Sequence, residues 1–311
     1  MVWRRPVFSI VIPTYSRPRQ LSDCLEALVH LDYPQDLYEV VIVDDGSPRL
    51  PEDEVARYRH TLDLKLIAQD HAGPAVARNT GAEAAEGDTL AFTDDDCRPD
   101  PHWLRALAAR MREVPGAAVG GRTVNALPNN PCSSASQLLV SYLCAYYGSR
   151  DERGAFFASN NLAVPAESFH TSGGFDSRFP LAAGEDRDFC DRWVQGGHAL
   201  VYAPEAIIYH EHALNLLSFL RQHFRYGRGA LRFHQARAER GAERMGLEPL
   251  SFYVGMLRSP CSESRGPGTT LLLLSLLLLS QAANAGGFAW EMARASGTRR
   301  DERRGASAAG D

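Results

Sequence analysis

Short β-branched runs alternate with helix-period segments over the first hundred residues, and three of those runs stop on polar or acidic clusters. The first, Val7-Phe8-Ser9-Ile10-Val11-Ile12, closes at Pro13, and from Pro18 the residues Leu21, Leu25, Leu28 and Leu31 recur at helical spacing. Val40 to Val43 repeats the strand signal and ends on Asp44-Asp45-Gly46-Ser47; Leu64 to Ile67 is a third short apolar run. Ala72 to Ala85 is alanine-rich and helical, and Thr89 to Thr93 is a fourth strand that runs into Asp94-Asp95-Asp96. A chain patterned this way folds as an α/β layer with a mostly parallel sheet. Such sheets bind ligands at the carboxyl ends of their strands, where the polar clusters sit. Asp100-Pro101 starts a further helix to about Glu113, a small strand follows near Ala117 to Gly120, and Pro128 to Pro131 is a loop.

Charge narrows the ligands. The 311 residues carry a formal net charge of -5 with a pI near 6.1, so no global basic field exists and nucleic acid is excluded as the default partner. An anionic ligand must be held by local groups. The six cysteines are scattered with no CxxC pair, which argues against a zinc knuckle or a disulfide scaffold and for a reducing compartment. The apolar run before Pro13 is too short for a signal-peptide core, so the catalytic part is expected in the cytoplasm.

Asp94-Asp95-Asp96 directly after a strand gathers carboxylates that repel one another unless a cation joins them. Oxygen donors of this kind suit Mg²⁺ or Mn²⁺, which keeps part of its shell for substrate phosphates; taken alone, a solvated acidic turn is an equal reading. Asp44 and Asp45 offer hydrogen bonds to a base or ribose, or simply build a turn and helix cap. Pro13-Thr14-Tyr15 presents an aromatic face and a hydroxyl.

Taken together, Ile10-Val11-Ile12-Pro13-Thr14-Tyr15, Val43-Asp44-Asp45-Gly46-Ser47, Ala77-Arg78-Asn79-Thr80-Gly81, Thr93-Asp94-Asp95-Asp96 and Gly184-Glu185-Asp186 resemble, in order and spacing, the inverting family 2 nucleotide-sugar glycosyltransferases. The resemblance covers about residues 7 to 212. It implies a GT-A fold, with a nucleotide-binding half over about 1–100 and an acceptor half over about 101–213. By position it implies that Pro13, Thr14, Tyr15, Asp44, Asp45, Arg78, Asn79, Asp94 and Asp95 hold the nucleotide-sugar. It implies Asp96, Asp94 and His210 as metal ligands, and Asp186 as the general base. Asn161, Gly174 and Glu185 fall on the acceptor side. The expected reaction is metal-dependent, inverting sugar transfer from a nucleotide donor, UDP-linked by preference, to a cell-surface glycan or lipid-linked acceptor. Two rivals are a sugar-nucleotide nucleotidyltransferase and a catalytically silent membrane-associated binding module. The first usually carries a Gly-rich phosphate loop after its first strand, and Pro13-Thr14-Tyr15-Ser16 has no glycine.

From Leu214 the character changes. Residues 214–265 read as a basic helical extension in which Arg221, Arg225, Arg228 and Arg232 share a stripe beside Leu217, Leu220, Phe224 and Leu231, a pattern that fits an anionic membrane surface or a helix packed on the protein. Residues 266–290 lack any charge, with Leu271 to Leu279 leucine throughout except Ser275. Arginines flank this segment: Arg258 and Arg265 before it; Arg294, Arg299, Arg300, Arg303 and Arg304 after it. A single span from a cytoplasmic domain would place the richer flank outside, against the positive-inside tendency. The expectation is therefore a monotopic or re-entrant segment at the cytoplasmic membrane face, followed by a disordered tail over 291–311.

Overall fold

The structure, a computed structural model, describes residues 7–148, 156–242, 248–261 and 266–308, with side chains described as far as Ala295. The chain divides into two compact units, Met1–Ala213 and Leu214–Asp311.

In the first unit the elements run β1 (Phe8–Thr14), α1 (Pro18–Val29), β2 (Tyr38–Asp45), α2 (Glu52–Ala56), β3 (Leu64–Gln69), α3 (Pro74–Glu83), β4 (Thr89–Phe92), β5 (Cys97–Pro99), α4 (Trp103–Glu113), β6 (Ala118–Asn125), α5 (Pro131–Gly148), β7 (Leu162–Pro165), α6 (Ala166–Thr171), α7 (Glu185–Gln195) and β8 (Leu200–His210). Among the described residues, the eight strands form one sheet in the order β3-β2-β1-β4-β7-β6-β8-β5. The first half is parallel, as the alternating pattern predicts. Beyond β4 the sheet is mixed: β7 is antiparallel to β4 and β6, β8 is parallel to β6, and β5 is antiparallel to β8.

Alternation along β1 divides the core between the two faces of the sheet. Ile10 and Ile12 join Leu21, Leu25 and Leu28 of α1 and Trp103, Leu104 and Leu107 of α4. Val11 points the other way, into a cluster with Phe92, Phe169, Phe175, Phe189 and Trp193. Every residue of β2 is buried, as expected of a strand covered on both faces. Each large apolar side chain so enclosed contributes about 1.5–3 kcal/mol, which makes the strand ends a rigid platform.

The antiparallel β5–β8 pairing was not legible in the sequence, because three residues are too short to show a period. It matters for the site: its register sets Cys97 opposite His210 and so brings the exit of the aspartate cluster against the end of β8.

In the second unit, α8 (Leu216–Glu239), α9 (Leu250–Arg258) and α10 (Pro267–Ala308) follow. A capping box starts α8: the Asn215 side chain accepts from Ser218 N, and the Ser218 hydroxyl accepts from Asn215 N, each at 2.9 Å. α8 and α10 approach so closely that a Cβ on Gly227 would overlap the Asn284 carbonyl, and one on Gly287 the Phe224 carbonyl. One expectation changes here. Arg228 and Arg232 do not stand free beside Arg221 and Arg225; both pair with the buried Glu291 of α10, at 2.6 and 2.7 Å. The helix α10 is drawn as far as Ala308, and residues 309–311 of the expected disordered tail lie outside the described residues. Arg265 and the side chains of Arg299, Arg300, Arg303 and Arg304 lie outside the described residues.

Candidate active site

The ends of β1, β2 and β4 carry the candidate nucleotide-sugar residues, and the repulsion among Asp94, Asp95 and Asp96 is relieved by three separate cationic groups. The buried Arg78 of α3 donates to Asp94 Oδ1 at 2.6 Å. Arg17, at the start of α1, donates from one nitrogen to Asp95 Oδ1 at 3.1 Å and Asp96 Oδ2 at 2.9 Å. His210 Nε2 lies 3.2 Å from Asp96 Oδ1. Asp95, 3% exposed, also accepts from the Thr14 hydroxyl at 2.8 Å, yet burial pushes its carboxyl up to about 7. Burial acts on Asp96 in the same direction, but its hydrogen bond to His210 and the charges of His210 and Arg17 win, and its carboxyl falls below the usual range. For His210 the bond and charge of Asp96 outweigh burial, so the imidazole is raised; burial lowers His212, stacked on it at 4.9 Å, to about 4.

Asp96, Cys97 and His210 bring ligand atoms within 4.8 Å of one another. Burial holds the Cys97 thiol well above its ordinary value, so it stays protonated and is no ligand for a hard cation. The donors of that group that fit a hard cation such as Mg²⁺ or Mn²⁺ are the Asp96 carboxylate and the His210 imidazole; Asp94, the other expected ligand, lies outside it, with Oδ1 accepting from Arg78.

Among the expected nucleoside-binding residues, Tyr15 is exposed and stacks on His71 with ring centres 4.5 Å apart. Pro13 is partly exposed at the end of β1. Asp45 is already engaged: its carboxylate accepts from Ala72 N, Gly73 N and Gln69 Nε2 at 2.9, 2.9 and 2.7 Å, which folds the loop after β3 beneath the Tyr15–His71 pair. Asp44 accepts from the backbone and hydroxyl of Ser47. Both acidic residues shape turns beside the expected nucleoside-binding residues Pro13, Thr14 and Tyr15.

Opposite them, α7 follows its N-cap Gly184 and carries Glu185 and Asp186 in its first turn. Glu185 is buried and takes a 3.2 Å bond from the second nitrogen of Arg78; its Oε2 has no partner. Burial and the neighbouring Asp186 raise its carboxyl. Asp186 is partly buried, accepts from Arg187 N at 2.7 Å, and is also raised, chiefly by burial. Asn79, next to Arg78, exchanges two hydrogen bonds with the Phe175 backbone, at 2.7 and 2.9 Å. Gly174 adopts φ +62, and a Cβ there would sit 2.7 Å from Asn79 Oδ1, so this tight joint requires glycine. Arg192 fixes the same loop by donating to the carbonyls of Ser172 and Gly174 while pairing with Asp188.

Asn161 lies deeper than the acceptor side suggests. It is 1% exposed, accepts from Trp103 Nε1 at 2.9 Å, and donates to the Ala206 and Arg122 carbonyls at 3.0 and 3.2 Å. These three bonds pin α4, β6 and β8 together. Asn161→Ala strands two buried polar groups, Trp103 Nε1 and the Ala206 carbonyl, and should cost about 2–4 kcal/mol in urea unfolding; a loss under about 1 kcal/mol would show the pin to be dispensable.

Arg17, His71 and Arg192 are the residues that reading the sequence missed. Arg17 alone gave a hint, being a basic residue just beyond a strand end.

With this geometry in view, solved structures share the fold. A mannosyltransferase from Pyrobaculum calidifontis, in complex with GDP-Man and Mn²⁺, superposes with a TM-score of 0.65 at 19% identity, covering 93% of this chain and 88% of that one. Residues 1–349 of TarS from S. aureus give a TM-score of 0.53 at 18% identity, covering 93% and 91%. The class is a GT-A-type sugar-transferase fold. The profile of Glycosyl transferase family 2 matches residues 9–175, more than half of the chain, and the protein belongs to that family of sugar-transferring enzymes. Glycosyltransferase AglE of Haloferax volcanii is 28% identical over 228 residues, 73% of each chain. The pre-mycofactocin glycosyltransferase of Mycobacterium tuberculosis is 30% identical over 71% of this chain, which spans only 46% of that relative's length.

Proposed function

We propose that the protein is a metal-dependent, inverting glycosyltransferase that moves a sugar from a UDP-linked donor to a cell-surface glycan or lipid-linked acceptor at the cytoplasmic face of a membrane. One observation carries the catalytic part. Arg78 bonds Asp94 through one guanidinium nitrogen and Glu185 through the other, so a single buried cation ties the donor-side carboxylates to the segment that bears Asp186.

The roles follow from that arrangement. Tyr15 and His71 offer an exposed aromatic platform for the base. Asp94, Asp96 and His210 would hold the divalent cation, whose chemistry is Lewis-acid stabilisation of the charge that develops on the leaving diphosphate. Arg78 fixes the orientation of Asp94, and Arg17 offsets the charge of Asp95 and Asp96 when no other cation faces them. Asp186, its carboxyl raised by burial, accepts the proton of the acceptor hydroxyl, so attack and departure occur in one displacement with inversion. A nucleoside diphosphate sugar as donor is supported by the GDP-Man complex of the mannosyltransferase and by the UDP-GlcNAc complex of TarS. The acceptor and membrane terms rest on α10, whose stretch Pro267–Ala295 is long and apolar enough to enter a bilayer.

A donor screen tests the reading. Release of UDP from a UDP-sugar should require Mn²⁺ or Mg²⁺ and stop with EDTA. In calorimetry, Asp96→Ala should lose metal-dependent donor affinity by about tenfold or more and keep its far-UV spectrum, because a partly open acidic cluster is not a core element. Unchanged affinity in that variant would remove Asp96 from the metal site, and donor release indifferent to EDTA would remove the metal.

A further inference from the structure

The face that α10 turns to solvent is unlike that of a soluble helix. From Leu271 to Trp290 its exposed residues are Leu271, Leu272, Ser275, Leu278, Leu279, Ala282, Ala285, Gly286, Ala289 and Trp290, and none is charged. At 100° per residue they occupy one arc of roughly 140°, while the buried Leu273, Leu276, Leu277, Ser280, Gly287 and Glu291 fall on the other side. Beside that arc a cleft of about 500 Å³ opens between α8 and α10, floored by Leu220, Phe224, Leu279 and Ala283 and bordered by Arg221 and Arg225. The two arginines are exposed, one turn apart on α8. Their neighbour Arg228, which also lines the cleft, pairs with Glu291, a carboxylate it shares with Arg232, so Arg221 and Arg225 are the lip arginines that point to solvent.

We propose that this cleft binds one anionic phospholipid, its phosphate held by Arg221 and Arg225 and its acyl chain lying over Leu220, Phe224, Leu279 and Ala283. The inference rests on the reading that α10 meets a membrane, and adds a defined lipid site to it. Charge complementarity selects the phosphate, since two guanidiniums at one-turn spacing can each donate to it. The apolar floor and the uncharged arc that continues it select a lipid over a soluble phosphate, which would leave both in water. The arrangement also sets orientation: α8 lies at headgroup depth with α10 beneath it in the plane of the leaflet.

The test is sedimentation of the full chain with phosphatidylcholine vesicles and with vesicles that also contain about 30 mol% phosphatidylglycerol. Arg221→Gln/Arg225→Gln should lower partition onto the anionic vesicles about tenfold, to the level on phosphatidylcholine alone. Arg19→Gln/Arg57→Gln, which removes equal charge from exposed sites in the other unit, should change it less than about twofold. Ala283→Trp fills the cleft without altering charge and should also weaken anionic binding. Donor hydrolysis in solution and far-UV circular dichroism should be unchanged in all three, which separates loss of the site from misfolding. An equal loss in the charge control, or wild-type partition by Ala283→Trp, would overturn the cleft as the site. Displacement from anionic vesicles by millimolar glycerol phosphate would assign the arginines to a soluble phosphate instead. A shift from dimer to monomer in the cleft variants would give the cleft to a second copy. If the wild-type chain binds neither vesicle, the membrane reading falls as well; if it binds both kinds and no variant matters, the cleft alone falls.

Discussion

Asp186→Asn should reduce sugar transfer to acceptor by about 10²- to 10⁴-fold while donor affinity changes less than about threefold. The substitution keeps the shape of the side chain and its acceptance of the Arg187 N–H, and removes only the capacity to take a proton. The pH dependence gives a second readout. Burial holds the Asp186 carboxyl above its ordinary value, so the base remains protonated at pH values where a free aspartate would already be ionised. Transfer by the wild-type enzyme should therefore fall as pH is lowered through that raised value, with the acid limb displaced toward neutrality. The residual activity of Asp186→Asn should lack this limb, because no carboxylate at that position remains to titrate. Near-normal transfer in the variant, or an unchanged acid limb, would assign the base to another group.

The parts of this site that a sequence reveals are those whose signal is local. Asp94-Asp95-Asp96 follows a run of strand-forming residues, and the parallel arrangement of β1 to β4 places its end beside those of β1 and β2. Period and turn chemistry sufficed for that. The remainder depends on register between segments far apart in the chain. His71 meets Tyr15 because Asp45 folds the intervening loop, and nothing near His71 announces a ring partner 56 positions away. Asn79 and Asn161 look like ligand groups in a motif, but their amides are used by backbone groups 96 and 45 positions distant. The arginine stripe on α8 was legible as a stripe. That half of it is consumed by Glu291 was not, because the partner lies 63 and 59 positions later on α10.

Arg78→Ala should destabilise the protein by about 3–5 kcal/mol near pH 8, the range for removing one partner of a buried ion pair. The side chain is 4% exposed, and its loss takes from the buried Glu185 the guanidinium that lowers its carboxyl, while Asp94 loses its 2.6 Å bond. The pH dependence distinguishes this electrostatic cost from a packing defect. Burial and Asp186 already raise the Glu185 carboxyl, and Arg78 is what restrains the rise. Without the arginine, the folded-state pKa moves further above the unfolded value, so the folded state binds a proton that the unfolded state releases. Stability is then recovered as pH falls through the raised value and is lost as pH climbs through it. The penalty measured from urea midpoints should shrink between about pH 8 and about pH 5.5, where a protonated Glu185 no longer needs a counter-ion. Arg78→Ala/Glu185→Gln should recover part of the loss at the higher pH, since the stranded charge is removed with its partner. Equal penalties at the two pH values, or a double variant no more stable than Arg78→Ala, would mean that Arg78 supports the fold through its packing against Phe175 rather than by joining the two acidic segments.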